Sequence, residues 1–211
     1  MKQVMKYVIG IDEAGRGPLA GPVAVGAVCV PTDFDWSQVE GATDSKKMTP
    51  KSREEIYKKM LVLRREGKLD FAVAFSSAPV IDTRGIVPAI QSALNRSLKK
   101  LVEARPRQAA EVGPRQNAKT KPSYQILLDG GLHAPAEFKN QKTIIRGDDS
   151  EPVISLASIA AKVMRDRLMV RIAHKYPRYG LEIHKGYGTL AHRKAIKQNG
   201  LSPIHRKTFC H

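Results

Sequence analysis

The sequence predicts an α/β domain of three layers, with helices on both sides of a mixed central sheet. Three observations lead there. Short runs rich in β-branched residues, bounded by glycine and proline, recur along the chain. Between them lie longer stretches with apolar residues at helical spacing. The 211 residues, 42% of them hydrophobic, are enough for one α/β domain with a substantial core.

KYVIGI at residues 6–11 and PVAVGAVCVP at residues 22–31 read as the first two strands. After a polar loop, Thr49 and Pro50 open a helix over residues 50–66, with Thr49 as N-cap and Pro50 at the first helical position. Ile56, Met60, Leu61 and Leu63 give that helix an apolar side. LDFAVAFSS at residues 69–77 alternates as a strand, and a longer helix is expected over residues 82–104 with Ile90, Leu94, Leu98 and Leu101 on one face. Residues 105–122, RPRQAAEVGPRQNAKTKP, are basic, hold three prolines and lack apolar periodicity, so they read as a surface insertion loop. SYQILLD is a strand ending on Asp129, and KTIIRG a short strand stopping just before Asp148. Helix returns with PVISLASIAAKVMRDRLMVRIAHKY, whose small residues Ala157, Ser158, Ala160 and Ala161 suit close packing, and in which Arg165 and Asp166 read as a helical ion pair. A last helix over residues 190–198 precedes an irregular basic tail. The whole reads as a single domain, with a core over residues 1–175 and a C-terminal helical extension over residues 176–211.

Charge narrows the function. Lys and Arg number 36 against 20 Asp and Glu, a formal net charge of +16, which favours a polyanionic partner, nucleic acid first among them. Cys29 and Cys210 are the only cysteines, so neither a zinc finger nor a disulfide framework is expected. No signal-peptide core and no bilayer-spanning run stands out, which predicts a cytoplasmic protein without membrane attachment.

Against that positive background, three apolar strands finish on acids: Asp12 and Glu13 after YVIGI, Asp129 after YQILL, and Asp148 with Asp149 after TIIRG. Each alone also suits a turn, since Asp-Gly and Gly-Asp are common turn pairs. Gathered at one sheet edge they would repel one another, and a divalent cation with a taste for hard oxygen ligands, Mg²⁺ or Mn²⁺, removes that problem. Strand alternation sends Asp12 and Glu13 to opposite faces, so either the strand bends there or one of the two serves through its backbone.

The motifs carrying these acids closely resemble those of ribonuclease HII. GIDEAGRGPLAGPVAVGAV (10–28), TDSKKMTP (43–50), LLDGG (127–131), RGDDSEPVISLASIAAKVMRDRLM (146–169), HKGYGTLAH (184–192) and SPIHRKTF (202–209) follow in that family's order and cover nearly the whole chain. The resemblance implies a ribonuclease H-like fold with a C-terminal helical extension. It implies endonucleolytic cleavage of RNA in RNA–DNA hybrids and 5′ to single ribonucleotides embedded in duplex DNA, leaving 3′-hydroxyl and 5′-phosphate ends, as in ribonucleotide excision repair. By motif position the catalytic and metal-holding acids are Asp12, Glu13, Asp129 and Asp148, with Asp149 the neighbour competing for the last place. A two-ion site for Mg²⁺ or Mn²⁺ follows, as do a hybrid or ribonucleotide-containing DNA duplex as partner and a monomeric protein. Gly15, Arg16 and Gly17 with Tyr187 are implied to read the 2′-hydroxyl and the ribose junction, and Lys46, Ser158, Lys162, His184 and Lys185 to meet backbone phosphates. The insertion at residues 105–122 is longer than the family's usual connection. A catalytically silent nucleic-acid binder on the same fold is the alternative, and the retained acids argue against it.

Overall fold

The computed structural model describes residues 6–42, 45, 47–109 and 123–210. Its strands are β1 (Lys6–Ala14), β2 (Val23–Pro31), β3 (Asp70–Ser76), β4 (Ser123–Asp129) and β5 (Gln141–Ile144). They form one sheet in the order β3-β2-β1-β4-β5. β1, β2 and β3 run as an antiparallel meander, while β4 lies parallel to β1 and β5 parallel to β4, so the sheet is mixed as expected.

Alternation along the strands divides the core. Ile9, Ile11, Val23, Val25, Ile126 and Leu128 face one side, where they meet Ile90, Leu94, Leu98 and Leu101 of α3 (Ile86–Ala109). Val28, Val30, Phe71 and Leu127 face the other, against α1 (Pro50–Arg65) and α5 (Pro152–Ala173). Thr49 caps α1 as expected, its hydroxyl accepting the Ser52 N–H at 3.1 Å. α5 lies directly on the sheet because two strand positions there are glycine. A Cβ on Gly10 would sit 2.3 Å from the Val153 carbonyl oxygen, and one on Gly26 2.3 Å from that of Ala157.

Two elements differ from expectation. The helix expected over residues 82–104 is two helices, α2 (Ala78–Arg84) and α3, broken at Gly85, whose φ of +83° turns the chain left-handed. α3 then runs to Ala109, so residues 105–109 of the expected insertion are helical; residues 110–122 lie outside the described residues. The strand after β4 stops at Ile144. Arg146, at φ +56°, reverses the chain into a single helical turn, α4 (Gly147–Ser150), so Asp148 sits on that turn and not after a strand. Beyond α5, α6 (Leu181–His184) and α7 (Leu190–Asn199) pack around the end of α5 through Ala20, Met169, Tyr179 and Leu181. Among the described residues no helix is long and apolar enough to cross a membrane.

Candidate active site

The parallel register pairs Ile11 of β1 with Leu128 of β4, which sets Asp12 and Asp129 side by side one residue further on. Both share the face that α5 covers, since Ile11 and Leu128 face α3. α4 delivers Asp148 to the same place, held there by two bonds. Asp129 Oδ1 accepts the Gly147 N–H at 2.7 Å, and the Ser155 hydroxyl donates to the Asp148 carbonyl at 2.6 Å. One carboxylate oxygen from each of Asp12, Asp129 and Asp148 lies within 4.8 Å of the others.

Electrostatics make this cluster expensive in isolation. Asp12 is 2% exposed; its Oδ1 accepts the Glu13 N–H at 2.6 Å, while its buried Oδ2 has no hydrogen-bond partner. Burial pushes its pKa up to about 8. The Ser158 hydroxyl opposes that rise, and the charges of Glu13 and Asp129 add to it. Three convergent hard oxygen donors, one of them unpartnered and buried, suit a divalent cation of the Mg²⁺ or Mn²⁺ type.

The other expected site residues divide. Glu13 stands outside the three-acid group, its Oε1 accepting from Arg16 at 3.2 Å, although its charge still acts on Asp12. Asp149 turns away from the acids to Lys47 at 2.5 Å and Arg146 at 3.4 Å, and the Lys47 hydrogen bond leads in lowering its pKa. Of the two neighbours, only Asp148 joins the cluster. Ser158 is 2% exposed, with its hydroxyl 2.7 Å from that of Ser45, so it supports the cluster from below instead of facing solvent as a phosphate donor. The ring of His184 is similarly committed: Nε2 lies 2.7 Å from the Tyr179 carbonyl oxygen, and Nδ1 accepts the Gly186 N–H at 3.2 Å. Lys162 pairs with Asp166 at 2.9 Å and stands over the Tyr187 ring, and Lys185 donates to the Glu182 carbonyl. Lys46 lies outside the described residues. A groove lined by Arg53, Glu54, Lys162, Asp166, Arg167, Arg171, Lys185 and Tyr187 carries more basic than acidic side chains.

Two arginines, Arg165 read from sequence as a helical ion-pair partner and Arg206 given no role, organise the segment from Gly15 to Pro22. Arg165 is not the helical partner of Asp166; it is fully buried and reaches Pro22 O at 2.9 Å and Ala20 O at 3.3 Å. Its guanidinium lies 5.6 Å from the centre of the Tyr187 ring and fills the space a Cβ on Gly15 would need. Gly15, at φ +87°, is therefore required twice over, whereas Gly17 has open space around it. Arg206, also fully buried, binds the carbonyls of Gly15, Arg16 and Gly21. The SPIHRKTF block carries that arginine, and its only sequence signal is the resemblance itself.

A family model described as Ribonuclease HII matches residues 9–211. A Ribonuclease HII of Syntrophotalea carbinolica is 38% identical over 208 residues, 99% of this chain and 87% of its own. That of Endomicrobium trichonymphae is 40% identical over 202 residues, covering 96% and 84%. Among solved structures, the ribonuclease H2 from Pyrococcus horikoshii is similar with a TM-score of 0.64 at 27% identity, covering 96% of this chain and 93% of its own. Bst-RNase HIII in complex with Mn²⁺ shares the fold, with a TM-score of 0.66 at 20% identity, covering 94% and 64%. With the family match running from the first buried strand to the last residue, around an acid cluster on a ribonuclease H-like sheet, the chain belongs to the ribonuclease HII family of RNA-cleaving nucleases.

Proposed function

We propose that the protein is a divalent-metal-dependent endoribonuclease acting on RNA–DNA hybrids and, 5′ to the ribonucleotide, on DNA duplexes containing single ribonucleotides, with 3′-hydroxyl and 5′-phosphate products. The observation that carries the reading is the cluster of Asp12, Asp129 and Asp148, with its unpartnered buried oxygen, inside a chain of net charge +16. A pure binder of nucleic acid gains nothing from three acids beside a phosphodiester, because they repel it.

Asp12, Asp129 and Asp148 are the side chains that would hold the metal, with Glu13 as the fourth acid at its margin. Bound there, a pair of Mg²⁺ or Mn²⁺ ions supplies a water ionised near neutral pH and positive charge for the leaving 3′-oxygen. The protein's own work is placement. Ser158 and the Glu13 N–H orient the Asp12 carboxylate, and the Gly147 N–H orients that of Asp129. Lys162 and Lys185 border the groove that takes the backbone, and the 15–17 segment with Tyr187 meets the ribose. The protein acts in ribonucleotide removal from DNA in the cytoplasm, as a monomer.

The test is a DNA duplex with one ribonucleotide, incubated with Mg²⁺ or Mn²⁺. A single incision 5′ to the ribonucleotide is expected. Asp129→Asn should lower the rate by roughly a thousandfold or more while changing duplex affinity by less than about threefold. No incision with either metal sinks the reading, and an equal collapse of binding would give the acids a structural role instead.

A further inference from the structure

Arg206 lies in the tail after α7, nearly two hundred residues from the segment it holds. Its Nη2 donates to Gly15 O at 2.7 Å, its Nη1 to Arg16 O at 2.8 Å and its Nε to Gly21 O at 2.9 Å. Its own backbone N–H donates to Leu19 O at 2.7 Å. On the other side of the loop, the Leu19 and Ala20 N–H groups donate to Gly186 O, tying it to the segment that carries Tyr187. One side chain therefore fixes three carbonyls of the recognition loop while the loop's edge is fastened to the Tyr187 segment.

The direction of those bonds has a chemical meaning. In a planar trans peptide the N–H points opposite to the C=O, and the described residues contain no cis bond. Turning Gly15 O and Arg16 O inward to Arg206 turns the N–H groups of Arg16 and Gly17 outward. Both residues are exposed, both lie beyond the last β1–β2 pair at Ala14, and among the described residues no backbone acceptor meets either N–H. The loop thus offers adjacent donors, and its two nearest carbonyls are already taken. Behind it, Arg165 and Arg206 are both fully buried, and among the described residues neither has a carboxylate within salt-bridge distance. Burial lowers the pKa of each, and the Arg165 charge lowers that of Arg206 further, to about 9, so Arg206 remains a cation at neutral pH. Donors backed by positive charge select an oxygen acceptor.

We infer that Arg206 is a positioning residue for substrate recognition: by holding the Gly15 and Arg16 carbonyls inward, it presents the Arg16 and Gly17 N–H groups as a preformed donor pair for the 2′-oxygen of the ribonucleotide beside the cut. The C-terminal segment is then part of the specificity machinery and not only a packing element. This rests on the ribonucleotide-directed activity proposed above.

The unaltered protein is assayed first, and its failure to cut a duplex with one ribonucleotide sinks the functional reading itself. Arg206→Lys keeps the charge but replaces a three-pronged donor with a single ammonium. On that substrate it should raise KM by roughly tenfold or more, hold kcat within about threefold, and leave Mn²⁺ binding to the metal-free protein unchanged. An unchanged KM in the folded variant overturns the inference, as does a loss shared equally by kcat and Mn²⁺ affinity. If Arg206→Lys does not fold, ¹⁵N-labelled Asp129→Asn protein provides the deciding measurement. The Arg16 and Gly17 amide resonances should shift on adding the ribonucleotide-containing duplex and stay in place with the all-DNA duplex. Equal responses to the two duplexes overturn the inference.

Discussion

Replacing Asp12 by its neutral isostere should stabilise the protein in the absence of metal. The carboxylate is buried, one oxygen has no partner, and the charges of Glu13 and Asp129 press on it. Asp12→Asn keeps the shape and removes the cost of burying an ionisable acid, a gain of roughly 1 kcal/mol, or about 2–4 °C in Tm for a chain of this size. The same change should remove the extra thermal stability that Mn²⁺ gives the unaltered protein. A lower metal-free Tm for Asp12→Asn would show that the charge is already satisfied within the fold. At this scale the sequence told most about Asp12 and Asp129, because strands and alternation have a fixed period of two. That same period raised the question of how Asp12 and Glu13 could serve one site, and Glu13 stands outside the three-acid group. It could not distinguish Asp148 from Asp149, since both lie on a helical turn created by the left-handed Arg146, and no residue type marks an arginine for that conformation.

Between the elements, the contact of α5 with the sheet decides whether the acids stay together. α5 passes directly over Gly10 and Gly26, with the Ala157 carbonyl where a Cβ on Gly26 would fall. Gly26→Ala must lift α5, and with it Ser158 beneath Asp12 and the α4 turn that carries Asp148. The expected cost is roughly 1–3 kcal/mol, read as a lower urea midpoint with an unchanged slope, together with a fall in kcat. An unchanged midpoint would mean that α5 stands further from β2 than the 2.3 Å approach implies. Most elements were legible because their signals are local: β-branched runs for β1 to β4, and Thr49-Pro50 for the start of α1. The break between α2 and α3 was missed because the apolar residues continue in helical spacing across Gly85, and only its φ of +83° reveals the turn. The two buried arginines were missed for the opposite reason. Their partners are backbone carbonyls up to 191 positions away, which no local pattern records.

Across the whole molecule, the tail that carries Arg206 is itself held by a chain of imidazoles. His192 stacks on His184 with ring centres 4.2 Å apart, its Nε2 lies 3.1 Å from His205 Nε2, and its Nδ1 lies 2.9 Å from the Tyr187 carbonyl oxygen. His205 Nδ1 accepts from the Ser202 N–H and lies 2.8 Å from the Ser202 hydroxyl, and its ring packs 4.8 Å from that of Tyr179. α7, the Tyr187 segment and the tail therefore meet at groups able to take up protons. Burial lowers the His192 pKa to about 4, with His184 and His205 adding to the effect, and burial lowers that of His205 as well. The sign follows from linkage. Between pH 6.5 and about 4 the unfolded chain binds a proton at His192 that the folded chain refuses, so folding stability is full above pH 6.5 and falls as the pH drops towards 4. The loss from His192 alone is on the order of 3 kcal/mol at the bottom of that window. Melting temperatures of the metal-free protein from pH 7.5 to 4.5 should fall accordingly, and the pH slope should be shallower in His192→Gln, which cannot titrate. Because the tail positions the recognition loop, KM for a ribonucleotide-containing duplex should rise over the same window before global unfolding begins. Identical pH slopes for His192→Gln and the unaltered protein would remove the imidazole chain as the cause and leave the carboxylates to account for any acid sensitivity.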